Sequence, residues 1–128
     1  MKSRVERLES LLTLQRKIKA LHETRHAGHL AAALQAREEA VEIAARFDAE
    51  DSMAGLFPEV YHRRVQAAVA REQHNLEMAA LEARKVAEAT LRTDRVARAF
   101  RDERAREDRR KGDAELLELI GQRLPAAK

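Results

Sequence analysis

The chain has 128 residues, 45% of them hydrophobic, 37% charged and only 3% aromatic, with a net charge of +3. Alanine accounts for 25 residues, so nearly half of the apolar set brings almost no side chain to bury, and four glycines and two prolines leave little punctuation. That composition excludes sheet folds and a thick globular core, and describes a chain made almost wholly of long helix.

The first helix is expected over about residues 3–50, because no proline occurs there and Gly28 is its only helix-weakening glycine. Leu11, Leu14, Ile18 and Leu21 alternate by three and four residues and read as the seam of a coiled coil. Ala33, Ala36, Ala40, Ile43 and Phe47 continue the alternation one residue out of phase, so the seam is expected to change phase between His22 and His29. Ala27, Leu30, Leu34, Val41 and Ala45 make a second apolar stripe, about a third of a turn from the first at ~100° per residue. A two-helix hairpin buries one stripe and leaves the other wet. The second stripe is either exposed alanine beside a wide seam or a surface for a partner or a second copy, and Leu30, Leu34 and Val41 are its candidate contacts.

A turn over about 51–57 follows in DAEDSMAGLFPEV, where Asp51 and Ser52 can bond locally, Gly55 permits positive φ and Pro58 suits a first helical position. The second helix, about 58–111, lacks both glycine and proline from Glu59 to Lys111. Val65, Val69, Leu76, Ala79, Ala83, Val86, Thr90, Thr93, Ala97 and Phe100 keep one register there, with Glu72 its single charged member. Folding about the turn pairs positions such as Ile18 with Thr90 and Ala32 with Leu76. The expected fold is all-α: a long antiparallel two-helix coiled-coil hairpin forming one elongated domain. Gly112 and Asp113 allow a break before a short amphipathic extension, 113–124, which either continues the second helix or folds back onto the hairpin. Residues from Pro125 onward are expected to fray.

The net charge conceals a pattern. Residues 1–37 carry +5, residues 38–59 carry −6 and residues 92–111 carry +4. In a hairpin this makes the end with the two termini basic and the turn acidic. No apolar core follows the basic start MKSRVERLES, and no run approaches the ~20 apolar residues of a membrane span, so a cytoplasmic location is expected.

Catalytic inventories are poor. Cysteine is absent, so thiol catalysis and disulfides are excluded and a reducing compartment is allowed. Ser3, Ser10 and Ser52 stand outside any nucleophile-elbow pattern, and the four glycines are too dispersed to cradle a phosphate. No enzymatic activity and no cofactor are expected. His22, His26 and His29 share one helical face and could in principle hold zinc or nickel, but ligands at i and i+7 lie ~10 Å apart along the axis. The antiparallel partner near residues 79–86 offers only Glu82, so polar residues at a seam irregularity are the better reading, and no metal is expected. Arg92, Arg95, Arg98, Arg101 and Arg104 recur every third residue and wind around the helix. Clustered arginine can bind nucleic acid, yet interleaved acids and missing aromatic platforms argue for a solvated coiled-coil flank.

The opening RLESLLTLQRKIKALHETRHAGHLAAAL and the closing FRDERAREDRRKGDAELLELIGQR resemble the two ends of FliJ-type flagellar export proteins. The chain is similar in layout also to the O-type proteins of virulence type III secretion. The resemblance implies a cytoplasmic antiparallel coiled coil like the central stalk of rotary ATPases. Such a stalk enters a hexameric export ATPase, links it to the cytoplasmic domain of a membrane-embedded export gate, and handles empty export chaperones. Charge adds an orientation: the basic end, with Arg95, Arg98 and Arg101, is expected to meet the ATPase, since arginine gives multidentate contacts to carboxylates. The alternatives are a basic helical nucleic-acid-binding protein, or a holdase-type chaperone that uses the second stripe.

Overall fold

The computed structural model describes residues 1–123, apart from the side chain of Ala54. Ser3 starts the first helix: its Oγ accepts the Glu6 amide at 3.2 Å and its carbonyl accepts the Arg7 amide at 3.0 Å, the arrangement of an N-cap. Helix α1 runs Arg4–Phe47 and helix α2 runs Pro58–Arg123, separated by a short 3-10 turn at Met53–Gly55. The two helices pack on each other as an antiparallel, all-α hairpin, with no strand among the described residues.

The turn is made without a left-handed residue. No described residue, Gly55 included, has positive φ. The chain instead tightens through successive short hydrogen bonds, from the Ala49 amide to the Arg46 carbonyl, from Ser52 to Ala49 and from Leu56 to Met53. Helix α1 therefore ends at Phe47 and not near residue 50. The Phe47 ring is held edge-on to Tyr61, with centroids 6.1 Å apart, and lies 5.6 Å from the His62 ring. Pro58 takes the first helical position of α2, as its fixed φ favours.

Helix α2 does not break at Gly112. A mid-helix glycine costs about 1 kcal/mol against alanine, and the helix-forming residues on both sides offset it, with Lys111 and Glu107 paired at 3.2 Å one turn apart. Residues 113–123 thus continue α2 and do not fold back onto the hairpin; Leu116, Leu117, Leu119 and Ile120 are exposed. Leu124 and the stretch from Pro125 lie outside the described residues.

Contacts divide the chain into two units: residues 1–18 with residues from 89 onward, and residues 19–88. In the first unit the inward side chains are Val5, Leu8, Leu12 and Gln15 of α1 with Ala89, Thr93, Val96, Phe100 and Glu103 of α2. In the second they are Lys19, His22, His26, His29, Ala33, Ala36, Ala40 and Ile43 with Tyr61, Val65, Ala68, Glu72, Asn75, Ala79, Glu82 and Val86. On each helix these numbers alternate by three and four without interruption.

This overturns two expectations. The α1 seam has no phase change; the histidines belong to it. Of the expected Leu11, Leu14, Ile18 and Leu21, the three leucines are 39%, 52% and 47% exposed, and Ile18 alone is half-buried. On α2 the positions Val65, Glu72, Ala79, Val86, Thr93 and Phe100 face inward as expected. Alternating with them stand Ala68, Asn75, Glu82, Ala89, Val96 and Glu103; of the expected alternates Val69, Leu76 and Ala83 are exposed, while Thr90 and Ala97 are half-buried beside Ala89 and Val96. The physical reason is side-chain size. The buried apolar set is Leu12, Ala33, Ala36, Ala68, Ala79 and Ala89, so the helices close on alanines. Apart from Leu8 and Leu12, the described leucines are exposed.

Candidate functional site

Three groups of side chains stand out. The first is the polar seam of the second unit. The carboxylate of Glu82, 4% exposed as a residue, accepts a hydrogen bond from His22 Nδ1 at 2.7 Å and has Lys85 Nζ at 3.8 Å. A carboxylate cannot donate, so the His22 ring donates here. One heptad further along, Asn75 Nδ2 donates to the Arg71 carbonyl at 2.8 Å, which leaves its Oδ1 as acceptor for His29 Nδ1 at 3.4 Å. Among the described residues no three His, Asp or Glu side chains are placed to hold a metal ion.

The hydrogen bond from His22 holds the Glu82 carboxyl below its ordinary value of 4.5; burial opposes this shift and the charge of Lys85 assists it. A lowered folded-state pKa gives stability that is fully present above 4.5 and is lost as the pH falls through the lowered value. Thermal unfolding followed by circular dichroism from about pH 5 to pH 3 should therefore show a smaller acid loss in Glu82→Gln than in the unaltered chain. Equal losses in both would remove Glu82 from the account.

The second group lies in the unit with the chain ends. Arg95, Arg98 and Arg101 are exposed, and none is in an ion pair among the described residues. At ~100° per residue they span an arc of about a third of a turn centred on Arg98, away from the inward Thr93 and Phe100. Arg104 behaves differently, with its guanidinium 6.0 Å from the Phe100 ring centroid. Nearby, the inward carboxylate of Glu103 gathers Arg106 and Arg110 at 3.5 Å and Arg4 at 3.8 Å, joining the start of α1 to α2. This cluster escaped the sequence reading, which counted Glu103 as one charge in a charge-dense run. Its signal is a seven-residue spacing, since Glu103 continues the series Ala68, Asn75, Glu82, Ala89, Val96.

The third group is the second stripe of α1. Leu30, Leu34 and Val41 are exposed, the last two at 57% and 62%, and lie on one face as their spacing requires. Leu34, Val41 and Ala45, with the stems of Arg37, Glu38 and Glu42, line a shallow apolar groove. The opposite flank of α1 is ionic, with Glu39 bridged to Arg71 of α2 at 2.9 Å. The structure therefore presents the stripe residues together, and the arginines together, each group within its own unit.

No helix among the described residues is long and apolar enough to cross a membrane. Comparison with protein-family models, with curated proteins and with solved structures finds no match for this chain.

Proposed function

We propose that this protein is a non-catalytic coiled-coil stalk of a flagellar or type III protein-export apparatus, acting in the cytoplasm between a hexameric export ATPase and the export gate, and engaging export chaperones. The observation that carries this reading is the hairpin itself, whose termini-bearing unit displays Arg95, Arg98 and Arg101 outward and unpaired among the described residues. A stalk that joins two partners needs segments unlike in charge, and residues 1–37 and 92–111 carry +5 and +4 against −6 on residues 38–59. The resemblance of the chain's opening and closing segments to FliJ-type proteins points the same way.

Nucleic-acid binding is the weaker reading. Three arginines that would serve phosphates, Arg4, Arg106 and Arg110, converge on Glu103. Co-purification separates the two. Tagged protein should retain the export ATPase on a column at physiological salt. Failure to retain it, together with duplex DNA binding that falls steeply with salt, would favour the nucleic-acid reading and reject the stalk.

A further inference from the structure

The turn between the helices carries apolar side chains that the seam does not use. The amides of Leu56 and Phe57 both donate to the Met53 carbonyl at 3.0 Å, which closes one helical turn and sets Met53, Leu56 and Phe57 on one face of it. Val60 follows, its amide bonded to the Phe57 carbonyl at 3.2 Å. All four side chains are exposed, Leu56 at 73%. Exposed apolar residues scattered singly need no explanation, but a group this close together is the kind of surface that meets a partner.

The charge around the group selects the partner. Residues 47–61 contain Asp48, Glu50, Asp51 and Glu59 and no lysine or arginine. These four carboxylates are exposed, and none is in an ion pair among the described residues. Asp48 directly follows the last residue of α1, at the negative end of the helix dipole, where a cation stabilises a helix and an anion weakens it. Local stability therefore does not account for an acid there. We infer that the turn is a docking surface for a basic amphipathic segment of another protein. The apolar side chains of that segment cover Met53, Leu56, Phe57 and Val60, and its lysines or arginines meet the carboxylates beside them. A second copy of the turn would bring four carboxylates against four, and an anionic lipid surface would be repelled in the same way. The inference is independent of the stalk reading: it asks nothing of Arg95, Arg98 or Arg101, and the ring contact asks nothing of this turn.

Nuclear magnetic resonance of the full chain, titrated with a synthetic peptide of leucine and lysine at amphipathic helical spacing, tests it. Amide shifts should centre on residues 47–61. The same peptide with glutamate in place of lysine should not bind. Leu56→Ser with Phe57→Ser should weaken binding by about tenfold or more, with helix content unchanged by circular dichroism. Asp48→Asn with Asp51→Asn, which leaves the apolar group intact, should weaken it too and lessen its dependence on salt. Shifts centred elsewhere, or double variants that bind as tightly as the unaltered chain, would overturn the inference. So would neutral phosphatidylcholine vesicles that perturb the same amides when the lysine peptide does not. Self-association of the chain that Phe57→Ser removes would overturn it as well, because the occupant would then be a second copy.

Discussion

Replacing Ala68 by leucine is expected to destabilise the hairpin by about 1–3 kcal/mol. Ala68 is fully buried, at a point where the helices close on alanine, and the added carbons have no space unless the helices part. Leu76 is the counter-test. Its heptad pattern places it inside, but it is 44% exposed, and Leu76→Ala should cost no more than about 1 kcal/mol. Urea unfolding of both variants, followed by circular dichroism, measures the pair. The expected order is a large loss for Ala68→Leu and a small one for Leu76→Ala. The reverse order would mean that the seam runs through Val69 and Leu76.

If the protein is the proposed stalk, reversing Arg95 and Arg98 to glutamate is expected to lower its stimulation of an export ATPase by about tenfold or more. Both side chains are exposed on the outer arc of α2. Their loss should therefore leave the seam and the helix content unchanged. Reversing Asp48 and Asp51 at the turn should change stimulation less than about twofold, because isolated exposed charges away from an interface contribute little. Equal losses from the two pairs, with helicity intact, would reject the orientation in which the basic end meets the ring.

Much of the architecture was legible in the sequence because punctuation decides it. Pro58 begins α2, the stretch before it turns, and nothing between Arg4 and Phe47 interrupts α1. Half of the α2 seam was legible for the same reason, since Val65, Val86 and Phe100 sit seven or a multiple of seven residues apart. The α1 seam was misread because leucine was taken as the mark of burial. In a hairpin closed largely on alanine that rule fails: small and polar residues hold much of the seam, and Leu14 and Leu21 are exposed. His22 and His29 looked like an interruption because Leu76 and Ala83 were expected in the α2 seam where Asn75 and Glu82 stand. Each polar pair is intelligible only when both helices are in register, and one helix alone does not contain that information. Gly112 was a fair place to end α2 by composition, yet the helix-forming residues on both sides of it outweigh one glycine.

The stripe of Leu30, Leu34 and Val41 was legible from spacing alone, and its exposure follows directly from the seam lying about a third of a turn away.

The stalk reading is tested most directly by the hydrolysis rate of a purified hexameric export ATPase as this protein is titrated into it. The account predicts that the protein alone hydrolyses no ATP and that ring hydrolysis rises to a plateau as protein is added. It also predicts that the protein with Arg95→Glu and Arg98→Glu gives no such rise at the same concentrations. A ring whose rate is indifferent to the unaltered protein, while that protein is folded and helical, would contradict it.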